Sequence, residues 1–151
     1  MTDTRWLDET EMAAWRAFLS TSHLLERRIE EQLKAAAGLT HAQYEILVRL
    51  SGAPGRQMRM TELARGVVAS KSALTYQITQ LEKAGLVERA TCPSDDRGVL
   101  AVLTETGMRC LEQIAPGHLE VVRRYLIDRL TREELEVLTA AMRRTEEALR
   151  A

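Results

Sequence analysis

Aromatic residues are scarce, at 4% of the 151 residues, and there are only three prolines, eight glycines and two cysteines. Too little glycine and proline for a collagen-like or linker-dominated chain, combined with 45% apolar and 28% charged residues, also excludes intrinsic disorder. The longest notable apolar run, Val99-Leu100-Ala101-Val102-Leu103, falls far short of the roughly 18 residues a membrane span requires. The stretch Met1-Thr2-Asp3-Thr4-Arg5-Trp6-Leu7-Asp8-Glu9 turns acidic where a secretory signal would be basic and then apolar. A cytoplasmic location without a membrane partner is the expectation. Cys92 and Cys110 stand far from any C-x-x-C or His/Cys ligand spacing, which predicts two reduced thiols.

Catalytic signatures are missing too. The chain has no G-x-G-x-x-G, no G-x-x-x-x-G-K-[ST], no H-E-x-x-H and no G-x-S-x-G. His23, His41 and His118 fall in three different elements and are expected on helix surfaces or at caps, so no metal and no cofactor is expected. Acidic pairs such as Glu30-Glu31 and Glu133-Glu134 suit solvated helix faces or first turns. An enzyme is not expected.

What is present is helical. A chain of this length can bury roughly 68–70% of its unfolded surface, enough for a full core in one ordinary domain. From about Asp8 to Ala37, Met12, Trp15, Leu19, Leu25, Ile29 and Leu33 recur at helical spacing until Gly38 stops the run. Thr40-His41-Ala42-Gln43 is a capping box with a Leu39/Tyr44 staple, opening a helix from about His41 to Ser51. Met58-Arg59-Met60 is no more than a strand fragment, and Thr61 is expected to cap a short helix through Leu63, Ala64 and Val67. Ser70 then caps a helix whose buried stripe is Leu74, Ile78 and Leu81, and which ends in a Schellman turn at Gly85-Leu86. The runs 86–91 and 99–103 lean towards strands, with Cys92–Gly98 between them as an extended hairpin tip. A helix from about Glu105 follows, broken or kinked at Pro116-Gly117, and the capping box Thr131-Arg132-Glu133-Glu134 opens a last helix to about Leu149.

Helix, helix-turn-helix and hairpin in this order make a winged helix-turn-helix. The fold class is therefore mainly α with a small β-hairpin wing, residues 39–107 forming the winged region. Residues 1–38 and 108–151 carry further apolar stripes, including Leu126, Leu130, Leu135, Leu138 and Met142. Those stripes can pack on each other within one chain, but their presence at both ends favours a helical dimerisation layer shared by two chains.

Net charge is −1, yet it is unevenly spread: Ala53–Thr104 holds seven basic and five acidic residues, leaving −3 on the flanks. On the helix from Lys71 to Ala84, Ser72, Thr75, Tyr76, Thr79 and Lys83 share the side opposite the apolar stripe, with no carboxylate among them. Hydroxyls there can meet base edges or phosphates, a threonine methyl can touch thymine, and Lys71 at the helix start can meet phosphate. A plain solvated surface would also accommodate such a face.

Asp95-Asp96-Arg97-Gly98-Val99-Leu100-Ala101-Val102-Leu103-Thr104-Glu105-Thr106-Gly107 resembles the D-x-R…L-T-x-x-G signature of the MarR (multiple antibiotic resistance regulator) family. Ser70-Lys71-Ser72-Ala73-Leu74-Thr75 and Leu81-Glu82-Lys83-Ala84-Gly85-Leu86-Val87 are similar to that family's recognition-helix region. The resemblance covers essentially the whole chain. It implies a homodimeric winged-helix transcription regulator, most often a repressor, that binds double-stranded DNA at a pseudo-palindromic operator. It further implies that Arg97 enters the minor groove and that Asp95 orients the wing, while Ser70, Lys71, Ser72, Thr75, Tyr76 and Thr79 supply the recognition helix. Two positions depart from the family pattern. Asp96 stands where many members have arginine, and Tyr76 stands where many have an arginine able to grip guanine at two points. The family also implies release by small aromatic acids, with Trp15, His23, His41 or arginines of the first helix as pocket candidates, or by cysteine oxidation, with Cys92 at the wing tip. Neighbours Asp95 and Asp96 would oppose a thiolate there, which places ligand control ahead. The alternatives from other classes are a winged helix used only for protein contacts and an enzyme acting on a small aromatic acid.

Overall fold

Residues 9–37 contain neither glycine nor proline, and in the computed structural model they form one 29-residue helix, α1 (Glu9–Ala37). The structure describes residues 3–67 and 69–151, with the backbone alone at Asp95 and Asp96. Asp8 and Glu11 satisfy each other's backbone N–H groups at the start of α1, at 3.0 and 2.8 Å. Gly38 ends it at φ +68°, a conformation that glycine adopts without steric cost. The box at Thr40 forms as expected: Thr40 Oγ1 accepts from the Gln43 N–H, and Gln43 Oε1 from the Thr40 N–H, both at 3.1 Å. It opens α2 (His41–Gly52), with the staple residues Leu39 and Tyr44 both buried.

A 3-10 turn (Pro54–Arg56) leads into β1 (Gln57–Arg59), and here the sequence reading needs correction. The strand fragment is a full sheet member. Gln57, Met58 and Arg59 pair antiparallel with Val102, Ala101 and Leu100 of β3 (Asp95–Leu103), giving a three-stranded sheet in the order β1-β3-β2 with β2 (Val87–Cys92). Because pairing holds the chain up to Arg59, the next helix, α3 (Met60–Gly66), starts directly from the strand. Arg59 is its N-cap, with no side-chain cap bond, and Thr61 lies inside the first turn.

The hairpin tip is also tighter than the seven residues expected. β2 runs on to Cys92 and β3 starts at Asp95, so Pro93 and Ser94 alone make the turn. Thr91 pairs with Val99 while Cys92 pairs with Asp95, so the ladder bulges over residues 96–98. The third correction concerns α5 (Glu105–Tyr125): of the break or kink expected at Pro116-Gly117, the break does not occur, and the helix runs through Pro116. Proline forfeits one backbone bond, and in a helix this long the bonds of the flanking turns outweigh that loss. A 3-10 turn (Ile127–Arg129) and the Thr131 capping box then introduce α6 (Arg132–Arg150).

Two compact units result. Glu26–His118 contains the fully buried side chains Leu33, Ile46, Leu47, Leu50, Leu63, Leu74, Ile78, Leu81 and Val87. At about 1.5–3 kcal/mol per buried large aliphatic side chain, these are the main source of that unit's stability. The other unit, Met1–Leu25 with Leu119–Ala151, has no buried residue among those described.

In the central unit a small junction ties α4 (Lys71–Lys83) to α5. α4 ends in the Schellman turn that was expected, with Leu86 N–H bonded to Leu81 O and Gly85 N–H to Glu82 O, both at 3.0 Å, and Gly85 at φ +77°. Thr104 Oγ1 donates to Gly85 O at 2.7 Å and accepts from the Gly107 N–H at 2.9 Å, while the Thr104 N–H bonds Leu86 O at 3.1 Å. A Cβ at position 107 would collide with Leu86 O. The L-T-x-x-G motif is therefore a joint: threonine links the two helix ends, and only glycine lets them approach this closely.

Candidate nucleic-acid interface

Ser70 Oγ caps α4 by accepting from the Ala73 N–H at 3.1 Å, and lies 3.4 Å from Ser72 Oγ. Its first turn holds no carboxylate and its N-terminus carries the positive end of the helix dipole, which favours anions. Lys71, Ser72, Thr75 and Tyr76 are exposed as expected, Tyr76 by 62%. Thr75 Oγ1 donates to Lys71 O at 2.8 Å, so the hydroxyl can act outward only as an acceptor.

Thr79 differs from the sequence expectation. It is half-buried, and its hydroxyl both donates to Thr75 O at 2.9 Å and accepts from Arg89 Nη2 at 2.9 Å. Arg89, on β2, also reaches Thr75 O at 3.2 Å and Glu82 Oε1 at 2.6 Å, and its N–H meets Glu82 Oε2 at 3.2 Å. One arginine thus clamps α4 to the sheet. The periodicity of α4 could not reveal this, because Arg89 lies ten residues from Thr79 on another element; a basic residue on the strand that follows the helix was the available signal.

On the wing, Arg97 is exposed within the bulged segment of β3, a place where its side chain is re-aimed relative to a regular strand. The side chain of Asp95 lies outside the described residues. Cys92 is buried, its Sγ 3.2 Å from Ser94 Oγ, and Arg59 Nη2 donates to the same Ser94 Oγ at 3.0 Å. These hydrogen bonds to Ser94, with Arg59 adding its charge, pull the thiol below its ordinary range. The basic neighbour of Cys92 therefore comes from β1, across the sheet. Burial pushes the Cys110 thiol up.

The pocket candidates separate. Trp15, stacked on Phe18 with centroids 6.2 Å apart, and His23 are exposed and belong to the terminal unit. His41 belongs to the central one. Its Nδ1 lies 2.8 Å from Glu26 Oε1 and its Nε2 lies 3.3 Å from Glu45 Oε1. His118 is buried, 4.3 Å from the Tyr44 ring and 5.9 Å from His41 between centroids. Burial, and then the His41 charge, lower its pKa against an opposing pull from Glu45. Among the described residues no group of three or more His, Cys, Asp or Glu side chains is arranged to hold a metal, and no helix is long and apolar enough to cross a membrane.

Residues 39–99 match the family model described as MarR family. The chain is 41% identical to Sco3205, a MarR family transcriptional regulator from Streptomyces coelicolor solved in complex with DNA; the match covers 99% of this chain and 93% of that one, with a TM-score of 0.96. It is 47% identical to AbsC, a second MarR family transcriptional regulator from the same organism, covering 97% and 99% of the two chains at a TM-score of 0.94. Over 90 residues it is 32% identical to the HTH-type transcriptional repressor YetL of Bacillus subtilis; that match spans 60% of this chain and about half, 54%, of the repressor.

Proposed function

This chain belongs to the MarR family of transcriptional regulators, and from that premise we propose that it is a homodimeric repressor that binds a pseudo-palindromic operator in double-stranded DNA. The observation that carries the reading is the exposed face of α4, where Lys71, Ser72, Thr75 and Tyr76 stand together without a carboxylate. In the major groove, Thr75 accepts from a base amino group or a bound water, Lys71 and Ser72 meet phosphate, and Tyr76 packs on sugar or a thymine methyl. Ser70 acts by capping the helix that carries them. Thr79, its hydroxyl engaged on both sides, offers only its methyl, and Arg89 is a positioning residue for the whole face. The complex of Sco3205 with DNA supports this use of the fold.

Residues 39–107 form the DNA-binding region in this reading, and residues 1–38 with 108–151 the dimerisation region. Support for the dimer comes from the terminal unit, where Trp15, Phe18, Leu24, Leu119, Leu138 and Met142 all stand exposed and nothing described is buried. The experiment is nuclease protection of an inverted repeat upstream of the protein's own gene, with affinity measured against salt. Counterion release from phosphate contacts makes affinity fall steeply as salt rises. A salt-independent association, or none, would replace this reading with a winged helix used for protein contacts.

Arg97 is assigned to the minor groove, where narrow A·T-rich sequence concentrates negative potential, and Asp95 to orienting the wing. Arg97→Ala is expected to weaken operator binding by about 1–3 kcal/mol, chiefly at A·T-rich flanks, with the dimer intact. Unchanged affinity in fluorescence anisotropy would remove the wing from the interface.

Release from DNA by a small aromatic acid is the form of control carried over from the family, and gel shifts with salicylate-like acids test it. Oxidation at Cys92 is the competing form, favoured by Ser94 and Arg59 beside the thiol and opposed by its burial. Peroxide is expected to leave the gel shift unchanged; release by peroxide that vanishes in Cys92→Ser would reverse the order.

A further inference from the structure

The central unit contains a cavity of about 290 Å³ whose described walls come from α1, α2, Val67 and Ala69 between α3 and α4, and the first half of α4. Ile46 and Leu74, both buried, give it an apolar wall. Glu26 and Glu45 line it on either side of His41, with 52% and 43% of their side-chain surfaces still exposed to solvent. Two carboxylates outweigh one imidazole ring whatever its charge, and the described lining contains no lysine or arginine. Gln77 completes it from α4, and its buried Oε1 has no hydrogen-bond partner among the described residues. A buried amide oxygen left without a donor is costly, and a ligand that donates to it removes that cost.

The volume lies just below the range for drug-sized ligands, about 300–1,000 Å³, and so suits a compact one. An aromatic acid would bring a third carboxylate between Glu26 and Glu45, which the local charge opposes. An ammonium group has three donors and no acceptor, which suits a lining whose carboxylates, Glu26 and Glu45, keep lone pairs beyond their His41 contacts and whose Gln77 Oε1 accepts, and an apolar body attached to it would meet Ile46 and Leu74. We propose that this cavity binds a small organic cation, a primary amine on a compact apolar body, held by Glu26, Glu45 and Gln77 Oε1.

Leu74 and Gln77 line the cavity from the helix that carries Thr75 and Tyr76 outward, so occupancy bears directly on how α4 is seated. This consequence rests on the DNA-binding reading; the site itself does not, and is measured without DNA. The probes are benzylamine, benzyl alcohol and benzoate, which share a body and differ in charge. In ¹⁵N-resolved spectra of the full chain, benzylamine is expected to give saturable shifts at the Leu74 and Gln77 amides and at the Gln77 side-chain amide. Glu45→Gln, a change at a half-exposed position that leaves the free spectrum folded, is expected to weaken benzylamine about tenfold, as loss of a charge-assisted contact does. Benzoate is expected to leave these signals in place. The proposal is overturned if benzylamine gives no saturable shift, if benzyl alcohol binds as well, or if Glu45→Gln binds unchanged. Benzylamine binding that alters operator affinity supports the link to α4, whereas unaltered affinity overturns the link. A protein that binds benzylamine and no DNA would overturn the DNA reading and leave the site standing.

Discussion

Thr75→Glu is expected to raise the operator dissociation constant at least about 100-fold while leaving thermal unfolding nearly unchanged. Thr75 is exposed at the centre of the outward face of α4. A carboxylate there confronts phosphates and base acceptors, and like-charge contacts at an interface cost several kcal/mol, of which about 2.8 already gives 100-fold. Folding has little to lose: the threonine hydroxyl only back-bonds to Lys71 O, and glutamate is the better helix former. Thr79→Glu, equivalent on a helical wheel, is the poorer test, because it also removes the acceptor held by Arg89 Nη2. Leu74→Ala supplies the contrast on the opposite face; burial of Leu74 predicts a loss of about 2–5 kcal/mol in stability. Anisotropy on the protected repeat with melting curves for each variant decides it. A folded Thr75→Glu protein with wild-type affinity would take α4 out of the groove.

The difference between Thr75 and Thr79 marks what the sequence could supply. Interactions closed within a few residues were legible: the boxes at Thr40 and Thr131, the cap at Ser70, the glycine ends at Gly38 and Gly85, and the buried stripe Leu74, Ile78 and Leu81. Each depends on spacing along one element, and spacing is what a sequence displays. The missed features depend on pairs far apart in the chain. β1 needed Val102, Ala101 and Leu100 to become a strand, Arg59 reaches Ser94 across the sheet, and Arg89 folds back onto Thr79. Three residues carry too little period to name a partner, and an arginine's reach is not written in its neighbours.

The family signature falls between these cases. Leu103-Thr104-Glu105-Thr106-Gly107 was legible as a resemblance, but its physical reason lay in a backbone atom, Leu86 O, that no sequence pattern points to. The joint holds the end of α4 against the start of α5, and Arg89 grips the same helix from β2. The helix backbone is thereby held at its C-terminal end and, through Arg89, at Thr75 and Thr79, so the outward groups ride on a preorganised element. In the proposed DNA-binding reading, such preorganisation would leave specificity to the few groups facing out, chiefly the exposed Thr75 and Tyr76.

Leu138→Glu combined with Met142→Glu is expected to convert the proposed dimer to a monomer and to weaken operator binding by about 100- to 10,000-fold. On α6, Leu135, Leu138, Met142 and Leu149 recur at helical spacing along one side, yet no α6 residue is buried, and Leu138, Met142 and Leu149 are exposed by 37%, 39% and 80%. Such a stripe left open to water needs another apolar surface, and a second copy offers the same stripe related by a two-fold axis. Two glutamates placed in each half of that interface leave charges buried without partners, a cost of several kcal/mol per pair that a dimer of ordinary size does not absorb. DNA affinity falls with it. Two recognition helices held one turn apart, about 10–10.5 base pairs, engage both half-sites as one event. Separated chains bind each half-site alone and lose the effective concentration the dimer supplied, which sets the 100- to 10,000-fold range. Sedimentation should show the mass of one chain, and the melting temperature, expected to depend on concentration in the wild type, should become independent of it. Val137, exposed by 68% on the other side of α6, is the control: Val137→Glu should leave assembly and affinity intact. A double variant that still sediments as a dimer and still protects the repeat would place the interface on some other surface.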